Sequence, residues 1–276
     1  MKIITHPGNA HFDDWAACSL LIAANRKDLI SEGRFEVIER REPTEKEIWD
    51  TNTWVVDIGK KLDFKYRCFD HHQDSNIPPA FMLVLEFLEL GSRAREYLSW
   101  AKSKAMIDLI GIEASAKKFS LSVSTMKALN SPIEKYVLRQ FATYNSINIE
   151  RDAQLMGDWG EDVLAYLMVA PQYEADLKKG LKLHELKDGI FIGMGNIIQT
   201  TGLARWKHSL NGTVVSAIAL PDNRGQGWSV RTWGNLLDFR KIISEVGVHY
   251  VTPDGGIMKT DSMEEKALVE LIRRAL

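Results

Sequence analysis

Three short β-type runs near the start of the chain lead straight into an acid or an imidazole. Lys2 to Thr5 is followed by His6, Trp54-Val55-Val56 by Asp57, and Tyr66 to Phe69 by Asp70-His71-His72. A fourth run, Phe35 to Ile38, carries β-branched Val37 and Ile38, which suit a pleated surface. Helical patterns lie between them. Asp13 to Arg26 is apolar on most faces, through Trp15, Ala16, Ala17, Leu20, Leu21 and Ala24, and Pro43 to Trp49 is a short segment opened by proline. Strands alternating with helices imply a parallel α/β sheet. In such sheets ligands bind at the rim formed by the carboxyl ends of the strands, and that rim is where these polar residues fall.

Further along, the pattern changes. From Phe81 to about Leu177 it is almost wholly helical, clearest at Phe81 to Leu88, Tyr97 to Ile112 and Val163 to Leu177. Gly180 to Gly189 is charged and bounded by glycine, which suits a linker. Strands are expected at Ile190 to Ile192, Val214 to Leu220 and Trp228 to Val230, with a turn at Pro221 to Gly225. Helices are expected at Asp238 to Val246 and Ser262 to Ala275, the second opened by Ser262-Met263-Glu264-Glu265 at capping-box spacing. The reading is an α/β fold: a parallel-sheet domain with a helical segment over residues 1–185, then a smaller α+β domain over residues 186–276.

Composition bounds the function classes. At 276 residues, with 45% hydrophobic and 26% charged, the chain has room for both domains. A net charge of −2 argues against coating nucleic acid through bulk charge but allows a local basic groove. Cys18 and Cys68 sit among apolar or aromatic neighbours outside any CxxC pair, and read as buried thiols of a reducing compartment. Neither a signal peptide nor a bilayer-spanning run is visible, so a cytoplasmic protein free of membranes is expected.

Four of the seven histidines cluster, as His6 with His11 and His71 with His72, beside Asp13 and Asp14 in the first case and Asp70 in the second. Asp57 ends the strand between them. That many anions on one rim repel one another and are costly to desolvate, a conflict that a divalent cation resolves. Imidazole and carboxylate without thiolate suit Mn²⁺, Fe²⁺ or Zn²⁺ better than Ca²⁺ or a Cys-rich zinc site. There are more donors than one ion uses. Two divalent ions are therefore expected, Mn²⁺ first, with Mg²⁺, Fe²⁺ or Zn²⁺ as alternatives. Two ions ~3.5–4 Å apart clamp the attacking and leaving oxygens of a phosphoryl displacement, and Asp57 is the natural bridging carboxylate. No GxSxG, P-loop or strand-linked GxGxxG competes with this reading.

Asp70-His71-His72 after a strand, with Asp57 and His6 ending two others, resembles the DHH phosphoesterase superfamily, which includes RecJ-type exonucleases and manganese pyrophosphatases. The Myg-type subfamily, associated with RNA exonuclease activity, is the nearer match. Its opening resembles Thr5 to Asp14; its Val-Val-Asp-Val-Gly and Tyr-Asp-His-His-Gln elements resemble Val55 to Gly59 and Phe69 to Gln73; and Met106 to Gly111 resembles a later Asp-bearing element. Arg205 to His208 and Val248 to Gly256 are similar to elements near its end. Asp14 stands where the subfamily has glutamate.

The resemblance implies one ion held by His6, His11 and Asp57, and a second by Asp13, Asp57, His71 and Asp108. Asp70 would orient His71, and His72 would face the phosphate. His249, Gly255 and Gly256 would hold a terminal phosphate or sugar. From the residues alone, Arg231, between Trp228 and Trp233, is the best candidate for phosphate or base contact, while Arg40 and Arg41 read as solvated surface. The expected activity is hydrolysis of phosphodiester bonds in short or single-stranded nucleic acid from an end, RNA favoured. The alternatives are a small-molecule phosphoesterase acting on pyrophosphate or a cyclic dinucleotide, and a non-catalytic metal-binding protein. A homo-oligomer is compatible with all three.

Overall fold

The run Lys2–Thr5 forms strand β1 in the interior of a six-stranded sheet in the computed structural model, which describes residues 1–31, 33–128, 131–197 and 200–276. The other strands are β2 (Val37–Arg40), β3 (Thr53–Val56), β4 (Leu62–Asp63), β5 (Cys68–Phe69) and β6 (Ser146–Asn148), in the order β4-β5-β3-β1-β2-β6. β5, β3, β1 and β2 run parallel, whereas β4 and β6 close the two edges antiparallel. The parallel centre is as expected, and the two antiparallel edges are additions. β2 starts two residues later than its β-branched pattern suggests, because Phe35 instead sets its ring edge-on to Trp54, with centroids 5.3 Å apart.

Parallel strands are covered on both faces, and Ile3, Ile4, Trp54, Val55 and Val56 are accordingly fully buried. One cover is helix Phe12–Arg26, buried continuously from Asp13 to Ala24, which explains its apolar residues on most faces. Helix Ala80–Phe87, buried from Ala80 to Leu85, packs beside it. Helix Gln154–Gly180 approaches closely through Gly160, where a Cβ would lie 2.4 Å from the Ser19 carbonyl oxygen and 2.7 Å from the Ala23 Cβ.

The helical stretch after Phe81 is several helices: Ala80–Phe87, Gly91–Tyr97, Ala101–Lys118, Val123–Ala128, Pro132–Thr143, Ile149–Asp152 and Gln154–Gly180. Within Ala101–Lys118, Gly111 adopts φ 76°, ψ 166° and kinks the helix. No helix among the described residues is long and apolar enough to cross a membrane.

The chain divides into units Met1–Met168 and Val169–Leu276, so the division falls inside helix Gln154–Gly180, where the sequence reading sets it near residue 185. The second unit holds a mixed sheet of β7 (Lys182–Lys187), β8 (Ile190–Met194), β9 (Val214–Pro221), β10 (Trp228–Thr232), β11 (Val248–Val251) and β12 (Ile257–Thr260), ordered β11-β12-β10-β9-β8-β7. Within this sheet, among the described strands, β8 and β9 form the one parallel pair.

Three expectations fail here. The supposed linker is β7, an edge strand whose mostly exposed charged residues mimic linker composition. Asp238 to Val246 forms only the 3₁₀ turn Phe239–Ile242, since Ile243 is 55% and Val246 97% exposed and the segment has no second apolar turn to bury. The last helix begins at Glu265 with Glu264 as N-cap, not at Ser262; the Trp228 indole Nε1–H donates to the Met263 carbonyl at 2.9 Å and ties that residue to the sheet.

Gly160→Val places a branched side chain against the Ser19 backbone. We expect a loss of about 1–3 kcal/mol of unfolding free energy from overpacking, read by urea denaturation; unchanged stability would show that the helices part freely at this point.

Candidate metal centre

Register puts the site's foundations in a row. Thr5 pairs with Val56, and Val56 with Phe69, so the next residues, His6, Asp57 and Asp70, emerge side by side from neighbouring strands roughly 4.8 Å apart. β1 is flanked by β3 on one side and β2 on the other; strand order reverses here, and this is where open α/β sheets bind ligands. Asp57 leaves β3 in the left-handed region, at φ 57°. Asp and Asn tolerate that region better than other side chains, at some cost in strain, and its N–H is held by the Phe69 carbonyl at 3.0 Å.

His11 is the N-cap of helix Phe12–Arg26, and Asp13 and Asp14 lie in the first turn. Asp13 Oδ2 and Oδ1 accept from the Ala80 and Phe81 N–H groups at 2.8 and 2.7 Å, so this carboxylate closes the N-terminus of helix Ala80–Phe87. Asp108 arrives from helix Ala101–Lys118, with Oδ2 3.0 Å from His71 Nε2.

Three donor groups result: His6, His11 and Asp57; Asp57, His71 and His72; and Asp13, His71 and Asp108, the ligand atoms in each lying within 4.8 Å of one another. All six predicted ligands thus converge, and Asp57 belongs to two groups. His72 is the exception, because its Nδ1–H donates to Asp70 Oδ1 at 2.6 Å.

The donor atoms face one another without satisfying one another. His71 Nε2 stands 3.0 Å from Asp108, 3.3 Å from Asp57 and 3.5 Å from Asp13, and His6 Nε2 stands 3.4 Å from Asp14 and 3.5 Å from Asp57. Yet His71 Nε2, Asp57 Oδ1 and Asp14 Oδ2 are buried with no hydrogen-bond partner. Buried polar atoms are seldom left so, and a cation is the species that converging imidazoles and carboxylates both suit. His6 Nδ1 lies 2.8 Å from the Pro7 carbonyl, to which it donates, and such a bond fixes the ring so that the other nitrogen serves as ligand. The residues fit a divalent ion in each half.

The electrostatics follow from the same crowding. Burial, then the charges of Asp57 and Asp108, push the Asp13 carboxyl well above the usual carboxylate range, against hydrogen bonds from Phe81 and Ala80. Burial also pushes Asp14 up to about 7, although His6 and Arg40 pull it down. For His71, burial acts downward, but Asp108, Asp57 and Asp13 outweigh it and hold the imidazole at about 10.

Two predicted contacts are corrected. Asp70 does not orient His71: it accepts from the His72 backbone N–H at 3.0 Å and from its ring, while Lys60 N–H donates to its other oxygen at 2.5 Å. The turn after β5 brings position 72, rather than 71, back over the Asp70 carboxylate. Arg40 is not surface, with 2% exposure; its Nη2 lies 3.6 Å from Asp14 Oδ2. Arg41 pairs with Glu39 and Glu47 instead. Asp14 is not among the predicted ligands, although it belongs to the first acid cluster and stands where the resembled subfamily has glutamate; its Oδ2 lies 3.4 Å from His6 Nε2.

In the second unit, β10 alternation turns the exposed Arg231 to the sheet face opposite Trp228, while Lys207 sits 4.6 Å over the Trp233 ring. His249 is exposed on β11, its Nδ1 3.5 Å from Asp261. Gly255 has φ 75° and a Cβ there would meet Asp238 Oδ1 at 2.2 Å, so glycine is required. Its N–H donates to the Thr252 carbonyl at 2.8 Å, and that of Gly256 to Asp254 Oδ1 at 3.0 Å. Both amides expected to hold a phosphate are therefore already engaged within the loop.

Residues 2–78 match the MYG1 exonuclease family model, described as an uncharacterised protein family (UPF0160). The match covers less than a third of the chain but contains every predicted ligand except Asp108. No curated protein matches the chain. Similar solved structures include an exopolyphosphatase-related protein from Bacteroides fragilis (11% identity, 99% of this chain and 91% of that one, TM-score 0.28). Others are the exonuclease RecJ bound to manganese (13%, 99% and 89%, 0.30) and an uncharacterised protein from Helicobacter pylori G27 (13%, 99% and 99%, 0.24). Similarity at this level does not define the site's chemistry, which rests on its own geometry.

A pH dependence follows. A carboxyl raised to about 7 on folding, as Asp14 is, subtracts stability progressively as pH climbs from about 4 to 7. An imidazole raised to about 10, as His71 is, adds stability below about 6.5 that is lost as pH rises towards 10. Chelator-treated protein should therefore melt at lower temperature at pH 8 than at pH 5. Added Mn²⁺, competing with those protons, should raise the melting temperature more at pH 8, each ion adding about 2.7 kcal/mol at 100-fold excess over its Kd. Scanning fluorimetry with and without chelator checks this; an increment independent of pH would count against the ions binding beside Asp14 and at His71.

Proposed function

We propose that this protein is a metal-dependent phosphodiesterase that removes nucleotides from an end of short single-stranded nucleic acid, with RNA first among its substrates. The observation that carries the reading is a set of buried atoms left without partners among the converging ligands: Asp57 Oδ1 at the end of β3, His71 Nε2 just beyond β5 and Asp14 Oδ2 in the first turn of helix Phe12–Arg26. His6, His11 and Asp57 would hold one divalent ion; Asp13, Asp57, His71 and Asp108 would hold the other. Mixed N/O donors without thiolate favour Mn²⁺. Bound there, the ions supply Lewis-acid polarisation of the phosphoryl group and a water acidified towards neutral pH.

The chain's own residues account for the rest. Asp70 fixes the His72 ring through Nδ1, which leaves Nε2 on a side chain that is 53% exposed. In this reading that nitrogen would hold a proton against a phosphate oxygen as charge develops. Asp57, held at its position-defining φ, fixes the distance between the two halves. Among the arginines of the rim, Arg41 is neutralised by Glu39 and Glu47 and Arg40 is buried, and so sparse a field favours a short substrate over a long polyanion. Arg231 and His249, both exposed, are the second unit's candidates for contact with phosphate, base or sugar. The name of the family matched by residues 2–78 agrees with an exonuclease.

The deciding assay incubates the protein and Mn²⁺ with end-labelled RNA and DNA oligomers and, separately, with pyrophosphate and a cyclic dinucleotide. Stepwise shortening of oligomers is expected; turnover of pyrophosphate alone would replace the proposal with a small-molecule phosphoesterase, and no turnover with two ions bound would leave a metal-binding protein. His71→Ala should lower turnover by about 10²–10³-fold, the range seen when electrostatic stabilisation is removed. His72→Gln should lower kcat by about 10²–10⁴-fold while elemental analysis still finds the parental metal content. Loss of metal in that variant would make His72 a ligand instead.

A further inference from the structure

Arg40 ends β2 opposite Thr5, on the side of β1 away from Asp57. Its side chain is 1% exposed, an unusual place for a guanidinium, which is a permanent cation. Nη2 donates to the Gly8 carbonyl at 3.1 Å and Nη1 to the Phe141 carbonyl at 3.3 Å, and the guanidinium carbon lies 4.8 Å from the Phe141 ring centroid. The same Nη2 is 3.6 Å from Asp14 Oδ2, the oxygen that faces His6 and has no hydrogen bond of its own.

We infer that Arg40 is the positioning residue of the His6–His11–Asp57 half of the metal centre, fixing the loop that carries both histidines and balancing the carboxylate behind them. The inference rests on the two-ion reading above. Gly8 lies midway along the segment from His6 to His11 and has φ 80°. Among the described residues, the bond from Arg40 is the one side-chain hydrogen bond that reaches that segment's interior from outside it. Its other anchors involve the end residues: the His6 ring on the Pro7 carbonyl, and the His11 N–H on Asp14 Oδ1 at 2.8 Å. Arg40 touches the middle of the loop and, through Asp14, its far end. The two imidazoles, 5.2 Å apart at 55°, are thus set by one planar group that reaches three partners at once. A lysine ammonium on a flexible stem cannot span them. The other half of the centre does not depend on this group: Asp13 is held by helix Ala80–Phe87, and Asp108 by its own helix.

The consequence is asymmetric. Arg40→Lys and Arg40→Met are compared with the parent by Mn²⁺ titration calorimetry, elemental analysis and circular dichroism. In Arg40→Lys, affinity for one ion should fall by about 10–100-fold, the usual cost of losing a residue that orients metal ligands, while the other ion binds as in the parent. In Arg40→Met, close to one ion per chain should remain. Two ions of parental affinity in either folded variant would overturn the inference, as would equal weakening of both ions. Should Arg40→Met fail to fold, Arg40→Lys decides alone. If the parent itself binds no ion, the two-ion reading fails, an outcome distinct from a parent with two ions that Arg40→Lys retains unchanged.

Discussion

Everything around the rim answers to one constraint: Asp13, Asp14, Asp57 and Asp70 are each no more than 2% exposed, and each negative charge taken out of water must find a partner. The fold meets this demand piecemeal. A helix N-terminus serves Asp13, where backbone N–H groups and the helix dipole both favour an anion. The N–H groups of His11 and Trp15 serve one oxygen of Asp14, and Lys60 and His72 serve Asp70. What remains is Asp57 Oδ1, Asp14 Oδ2 and His71 Nε2. Backbone N–H groups support Asp13, Asp14 and Asp70 from outside, and the inner oxygens are left to one another. A fold optimised for stability alone would not retain such a residue of unmet charge.

Backbone geometry makes the arrangement repeatable. Because β1, β3 and β5 are in register, the three residues that follow them cannot be placed independently, and a shift in one strand would move its ligand out of the set. The left-handed turn at Asp57, followed by positive φ at Gly59 and Lys60, bends the chain away from the sheet immediately after the ligand. The same bend delivers the Lys60 N–H to Asp70. Strain at one strand end thus orients a carboxylate at the next, which in turn fixes His72.

Much of this was legible in the sequence because strands in a parallel sheet announce themselves by apolar runs, and the residue after each run is necessarily at the rim. His6, Asp57 and Asp70 could be placed that way, with His71 one step beyond. Asp108 could not, since nothing in the pattern of helix Ala101–Lys118 marks one acid as inward-facing, and it was reached only through the family resemblance. Side-chain partners were also hidden. Whether Asp70 turns to His71 or His72 depends on the tightness of the turn after β5, and Arg40 looked like surface because a charged residue at a strand end usually is. In the second unit, Lys182 to Lys187 reads as a linker by composition, yet it alternates around Leu186 as an edge strand must.

The carboxylate of Asp13 has a second employment that bears on how substitutions there are interpreted. Its two oxygens terminate the helix that packs against Phe12–Arg26, so truncation to alanine would leave two amide donors of a buried helix end unsatisfied while also deleting a donor from the cluster. Any phenotype of such a truncation would be a composite of impaired assembly and impaired chemistry. Dissecting the two requires asparagine, which keeps one acceptor, set beside a change at Asp108, whose carboxylate faces His71 and caps no helix among the described residues.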